Sequence, residues 1–417
     1  MSKIEELIEK LCPNGVEYKL FNDIAIYIRG VSYNKTKEIN NGGAGYKLLR
    51  ANNITLETNT LNYEDVKIID YSVNVKENQY LKKNDILICA GSGSKEHIGK
   101  VAYLFEDIDY TFGGFMGVIR IKNNTINPRY LFHIMTSPIF KSHLEKVSNT
   151  STINNINNDT WVNFKIAVPP LEVQHEIVHV LDDFTLLSAE LSAELKAREK
   201  QYEYYRNEII KKCDGREGKL IELLSQPITD GPHTTPKLYP TGIPFVSATA
   251  VYNGKVHLED AKGYISKEFD EECSKKYKPK RNDVYMVKSG STTGKVAYVD
   301  FDGDFNIWSP LAAMRTENVI TSRYLYHLLQ TTDVQNQVQS RMSHGSQPNL
   351  SMRVLEQFDV KIPSLTEQER IVNILDKLDL ICNDMFKGLP AEISSRKKQY
   401  EYYRDKLLTF KELVNEG

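Results

Sequence analysis

Hydrophobic positions recur along this chain with two different periods, and the change from one to the other happens twice. Residues 1–14 predict a short helix that stops at the turn signal Pro13-Asn14-Gly15. From Val16 to about Val168, short alternations of period two predict strands between Gly- and Asn-rich loops, as at 44–50, 84–89 and 100–105. Pro128 to Met135 predicts a helix entered through its proline, and Phe164 to Val168 a last strand running into Pro169-Pro170. There the period lengthens. Ile177, Leu181, Phe184, Leu187, Leu191, Leu195, Arg198, Tyr202, Tyr205 and Ile209 are spaced three or four apart, close to the a/d seam of a coiled coil. Residues 174–212 would make roughly 58 Å of helix at 1.5 Å per residue, a stripe too long to bury without a partner helix.

The partner is in the same chain, because the plan is written twice. Gln201-Tyr202-Glu203-Tyr204-Tyr205-Arg206 returns letter for letter 198 positions later as Gln399-Tyr400-Glu401-Tyr402-Tyr403-Arg404. Asn282-Asp283 answers Asn84-Asp85 at the same offset, and Gly294-Lys295-Val296-Ala297-Tyr298 repeats Gly99-Lys100-Val101-Ala102-Tyr103 at 195. Ser322-Arg323-Tyr324-Leu325-Tyr326-His327 echoes Pro128-Arg129-Tyr130-Leu131-Phe132-His133. Each helix is entered through Pro-x-Leu-x-x-Gln, ending at Gln174 and at Gln368, an offset of 194. The second helical arm therefore carries four extra residues, and Gly388-Leu389-Pro390 predicts a bend there. The first arm has the tandem tetrapeptide 188–195, Ser-Ala-Glu-Leu twice. The division that follows is a helix over 1–15, strand-rich domains over 16–168 and 214–362, and helical arms over 169–213 and 363–417.

Composition narrows the class. A chain of 417 residues is too long for one core. No apolar run reaches the 18 or so residues that span a bilayer, and five scattered cysteines form no Cys-x-x-Cys pair, so a reduced, cytoplasmic protein without membrane contact is expected. A formal net charge of −2 argues against a general nucleic-acid coat, whose affinity comes from neutralising phosphates regardless of sequence. It leaves room for a specific reader with local basic patches.

The order of strand-rich domain, long helix, strand-rich domain, long helix resembles the DNA specificity subunit of type I restriction-modification systems over essentially the whole chain. The pieces that carry the resemblance are Asp230-Gly231-Pro232-His233 with Gly242-Ile243-Pro244-Phe245-Val246, and the Asn-Asp and Gly-Lys-Val-Ala blocks of both halves. Gly345-Ser346-Gln347-Pro348-Asn349-Leu350 and the two Pro-x-Leu-x-x-Gln entries add to them. The resemblance implies an α+β chain with two tandem target recognition domains, each reading one half of a split site in double-stranded DNA. It implies two long helices packed as an antiparallel coiled coil with a pseudo-twofold repeat, and docking of two methyltransferase subunits and of restriction subunits. The chain itself would bind no cofactor and catalyse nothing, with S-adenosylmethionine on the methyltransferase. The first half departs from the pattern: Arg29-Gly30-Val31-Ser32 and Ser151-Thr152-Ile153-Asn154-Asn155-Ile156 stand where the second half has its motifs, as two different half-sites would require.

Base edges are read by Arg or Lys on guanine and Asn or Gln on adenine, while Ser, Thr and backbone amides hold phosphates. The loop candidates are Arg29, Ser32, Asn34, Lys35, Arg50, Asn52, Asn53, Ser92, Ser94 and Lys95 in the first half. In the second they are His233, Thr234, Thr235, Lys237, Lys288, Ser289, Ser291, Thr292, Ser346 and Gln347. Tyr202, Tyr205, Tyr400 and Tyr403 fall on the helical seam, whereas Tyr204, Arg206, Tyr402 and Arg404 point elsewhere and are candidates for subunit docking. Two readings compete. His175-Glu176-Ile177-Val178-His179 is a literal HExxH, the zinc pattern of metallopeptidases, but the second repeat has Glu369-Arg370-Ile371-Val372-Asn373 there and no third ligand is evident. A coiled-coil adaptor with no DNA role is the other. Gly290 to Lys295 is one residue short of a phosphate-binding P-loop and is read as a polar hairpin loop facing DNA rather than a plain solvent turn.

Overall fold

The structure is a computed structural model that describes residues 3–39, 43–55, 58–92, 97–149, 155–343, 347–384 and 387–413. The fold is α+β, and the chain divides into two compact units, Met1–Glu190 with Ser395–Gly417 and Leu191–Ser394.

In the first unit the central sheet is antiparallel, in the order Ala25–Arg29, Met116–Ile121, Ile86–Cys89, Val101–Tyr103. Ile86–Cys89 is apolar throughout and buried on both faces, so the period of two vanishes in that strand. A second sheet orders Thr111–Phe112, Tyr46–Leu49, Lys67–Ile69 and Glu38–Ile39, with Thr111–Phe112 parallel to its neighbour. Glu17–Leu20 pairs with Lys165–Val168 and ties the two ends of the strand-rich segment together. Trp161 stacks between Phe21 (centroids 4.2 Å apart) and Phe140 (5.7 Å), and all three are fully buried. Asn127 caps the helix Pro128–Met135 by accepting from the amides of Arg129 and Tyr130.

The second unit repeats the plan with a larger sheet, Thr229–Asp230, Leu311–Met314, Val284–Val287, Val296–Tyr298, Lys255–Val256 and Val251–Tyr252. Beside it lies a three-stranded sheet of Tyr264–Ile265, Ile243–Val246 and Asn306–Ile307. Gly215–Lys219 pairs with Asp359–Pro363, the counterpart of the tie in the first unit. Thr321 caps the helix Ser322–Leu329.

The long helix runs over Leu171–Lys212, and its opening turns bury Val173, Ile177 and Leu181 in the core of the first unit. This i, i+4, i+8 spacing puts one stripe against the strand-rich segment. The glutamine that ends each Pro-x-Leu-x-x-Gln entry is a buried clamp. Gln174 accepts from the amide of Asn127 (2.7 Å) and donates to the carbonyls of Thr125 (3.0 Å) and Pro169 (2.7 Å). Gln368 makes the same three bonds to Thr321, Val319 and Pro363 at 2.8, 3.0 and 3.0 Å. The second arm does more than bend. It is two helices, Leu365–Asn383 and Leu389–Leu407, because the amide of Gly388 returns to the carbonyl of Asp384 and the chain restarts with Pro390 in the new first turn.

Candidate nucleic-acid interface

Four loop segments meet at one edge of each unit. In the first, the amide of Gly30 donates to Met116 O, Val31 N to Phe112 O, Ala90 N and Gly91 N to Phe115 O, and Ile156 N to Ala90 O. Arg29–Ser32, Ala90–Ser92, Gly113–Met116 and Asn155–Ile156 are thereby fixed side by side. In the second unit Lys288 N donates to Pro310 O, Gly290 N to Pro348 O and Leu350 N to Lys288 O, while Trp308 N donates to Val246 O. These bonds gather 288–290, 308–310 and 347–350, and 230–233 joins them through the pairing of Asp230 with Ala312 and the ion pair of Asp230 with Lys288. Glycine is required at two of the crossings: a Cβ on Gly30 would lie 2.0 Å from the carbonyl oxygen of Gly113, and one on Gly231 1.8 Å from that of Ile307. That close approach explains why Gly30 and Gly231 are shared where the residues around them differ.

In the first unit Arg29, Ser32 and Lys35 are exposed, and Asn34 caps the turn Lys35–Lys37 by accepting from Thr36 N at 3.0 Å. Ser92 is half-buried at the gathered edge. Ser94 and Lys95 lie outside the described residues, as does Ser346 in the second unit. Arg50 and Asn52 both hold Asp65, at 2.6 and 3.0 Å. Asn53 departs from its expected role. It is fully buried, accepts from the amide of Arg50 (2.9 Å) and donates to the carbonyls of Asn62 and Asp65, so it braces the loop and offers no edge to a base.

In the second unit Thr234, Thr235, Lys237, Ser291 and Gln347 are exposed, and Ser289 and Thr292 are half-buried. Lys237 lies over the ring of Tyr239 at 5.2 Å. The charged centre of this edge is Asp230, which is buried. Its Oδ1 meets Lys276 Nζ at 2.6 Å, and its Oδ2 meets His233 Nε2 at 3.0 Å and Lys288 Nζ at 3.3 Å. Burial raises the carboxyl pKa, but the two lysines outweigh it and hold Asp230 below the ordinary value. Lys288 is itself buried.

Three residues at these edges were not among the candidates. Lys276 sits in a lysine pair after the helix Lys267–Ser274 and reads as a solvated charge until tertiary structure brings it to Asp230. Phe115 is an exposed aromatic whose carbonyl is held by two amides, and its place after Gly113-Gly114 is a sequence signal that could have found it. Trp308 lies under Lys262 Nζ at 3.6 Å from the ring centre, and nothing local in the sequence pairs them.

The first tyrosine of each repeated motif turns inward, whereas Tyr205 and Tyr403, expected on the helical seam, are exposed. In the second unit Tyr202 Oη lies 3.0 Å from His327 Nδ1, and His327 Nε2 lies 2.6 Å from Asp376, which also holds Arg323. In the first unit Tyr400 Oη lies 3.3 Å from His133 Nδ1, and His133 Nε2 lies 2.9 Å from Asp182, which also holds Arg129 at 2.8 Å. A neutral imidazole with its proton on Nε2 satisfies both bonds, and burial lowers both histidine pKa values. Arg404, expected to dock a partner, is buried: it lies over Tyr400 and donates to Thr136 O at 2.9 Å. Arg206 likewise lies over Tyr202 and reaches Gln330 at 3.4 Å. Tyr204 and Tyr402 are exposed. In the HExxH stretch His175 and His179 are exposed, His179 pairs with Asp183 at 3.0 Å, and Glu176 holds Lys3 at 2.9 Å. Among the described residues no three His, Cys, Asp or Glu side chains gather as a metal site, and no helix is long and apolar enough to cross a membrane.

Two strand-rich units, each with a polar, loop-built edge and a helical clamp behind it, define a two-part binding protein. Residues 13–198 and 232–395 match the type I restriction modification DNA specificity domain, and the chain belongs to that family. It is 34% identical over 247 residues to the type I restriction enzyme EcoR124I/EcoR124II specificity subunit of Escherichia coli, an alignment covering 58% of this chain and 60% of that one. It is 30% identical over 308 residues to a putative type I restriction enzyme specificity subunit of Haemophilus influenzae, covering 68% of this chain and 73% of that protein. In fold it is similar to a chain from a type I R-M system structure, at a TM-score of 0.60 and 17% identity, with 95% of this chain and 98% of that one covered. It is also similar to the type I S subunit of M. genitalium, at a TM-score of 0.51 and 16% identity over 94% and 96%.

Proposed function

We infer that this chain is the DNA specificity subunit of a type I restriction-modification complex. Each unit reads one half of a bipartite target in double-stranded DNA, and the chain itself is non-catalytic. The observation that carries this reading is the gathering of four loop segments on one edge of each unit, with Arg29, Ser32, His233 and Gln347 exposed on those segments and Lys35, Thr234, Thr235 and Lys237 exposed a few residues along the chain from them. Membership of the specificity-domain family supports it.

In this reading the strand-rich domains are 16–168 and 214–362, and the helical arms pack antiparallel as a coiled-coil spacer with a pseudo-twofold repeat. The heptad-like spacing and the stacking of Phe184 on Tyr403 (centroids 5.4 Å apart, 20° between planes) favour that packing. Two methyltransferase subunits dock on the arms, with Tyr204 and Tyr402 as exposed contact points, and restriction subunits join them. S-adenosylmethionine binds on the methyltransferase, and the assembly works in the cytoplasm.

The test is a protection assay with the chain and its methyltransferase partner, the target being taken from methylation-aware sequencing of the host genome with and without the gene. Protection of one bipartite sequence over unrelated duplexes is expected. Equal protection of every duplex would falsify the reading.

A further inference from the structure

One buried carboxylate in the second unit is shared by two lysines and a histidine. Asp230 is 1% exposed, and Lys276, Lys288 and His233 all lie within 3.3 Å of its oxygens. An ion pair needs one cation for one carboxylate. Two lysines on a single carboxylate leave a surplus positive charge, and His233 adds a polar ring nitrogen beside them. Like charges held this close repel in a partly desolvated setting, and the repulsion is relieved when an anion enters. Lys288 is buried, so its position is set by the fold, whereas Lys276 and His233 keep their outer sides in water. The cluster lies on the edge where the loops gather.

The first unit meets the same need by other means. In its ladder Met116 faces Cys89, and the next residue, Gly117, faces Arg29. In the second unit Leu311 faces Val287, and the next residue, Ala312, faces Asp230. Arg29, an exposed cation, and Asp230, a buried acid that collects two lysines and a histidine, therefore occupy the same ladder position. Ala90, at the position of Lys288, carries no charge. Both units thus put positive charge at this point, one with a single arginine and the other with an organised cluster.

We propose that Asp230 organises Lys276, Lys288 and His233 into a clamp for a backbone phosphate of DNA, which holds the second unit on its half-site. The proposal rests on the DNA-reading function inferred above. A phosphate contact positions the protein and reads no base, so the clamp sets affinity and salt dependence and leaves the target sequence unchanged.

The experiment measures binding of the target duplex by the full chain with its methyltransferase partner across a salt series. Lys276→Gln should weaken binding and reduce the steepness of log K against log salt by about 0.9, so that the loss between 50 and 200 mM salt is about 3.5-fold smaller than in the wild type. Lys276→Arg should restore the slope, and the methylated sequence should be the same in all three. If Lys276→Gln folds and protects the target with the wild-type slope, the cations serve only to neutralise Asp230 and the clamp is refuted. If the wild-type complex prefers no duplex, the DNA-reading function fails, and the clamp with it.

Discussion

His133 and His327 are the residues whose protonation the fold controls most directly. Burial holds both imidazoles below the ordinary value of 6.5, against the opposing hydrogen bonds from Asp182 and Asp376. A lowered histidine pKa means that the unfolded chain takes up a proton the folded chain refuses. The stability contributed is therefore intact above 6.5 and is lost as the pH falls below it. Asp182 and Asp376 are carboxylates held below 3.8 by their histidine and arginine partners in spite of burial, so their contribution is lost only in stronger acid. Thermal melts between about pH 7.5 and about pH 5 should show the melting temperature falling with pH. His133→Gln with His327→Gln should flatten that fall, and an unchanged slope would remove the imidazoles as its cause. The spacing of these residues was legible, since 133 to 182 and 327 to 376 are both 49 apart. Their bonding was not, because the tyrosine that completes each network arrives from 267 residues downstream in one unit and 125 upstream in the other.

At the scale of an element, each helical arm is anchored by one polar side chain at its entry. Gln174 and Gln368 are fully buried, and each satisfies one amide and two carbonyls that would otherwise be unpaired. Leaving such groups without partners costs about 1–3 kcal/mol, so Gln174→Ala should lower stability in a denaturant titration by about that amount, and so should Gln368→Ala. A change below a few tenths of a kcal/mol would mean that water replaces the side chain. The Pro-x-Leu-x-x-Gln pattern marks this anchor in the sequence, but only the packing shows that the glutamine bonds backward to the cap of the preceding helix. The division of the second arm into Leu365–Asn383 and Leu389–Leu407 was legible from Gly388 and Pro390, because proline removes a helix bond and glycine lowers the cost of a turn.

For the whole molecule, the sharpest expectation concerns the arms as a spacer. Deleting Ser192–Leu195 removes ~6 Å of helix, which corresponds to about one or two base pairs at 3.4 Å each. Methylation-aware sequencing of a strain carrying the deletion should return the same half-site bases with a shorter gap between them. Altered half-site bases would show that the arms do not set the spacing.

Periodicity and repetition determined the order of elements and the family, because these depend on residues close in sequence and on comparison along one chain. Tertiary structure decided what each repeated residue touches. Asn53 became a brace, Arg404 a buried tie and Lys276 part of a shared cluster because burial and ion pairing depend on neighbours distant in sequence. The Gln-Tyr-Glu-Tyr-Tyr-Arg repeat shows the division most clearly. Helical spacing puts its tyrosines on a face, but only the fold turns Tyr202 and Tyr400 onto a buried histidine and leaves Tyr204 and Tyr402 in water.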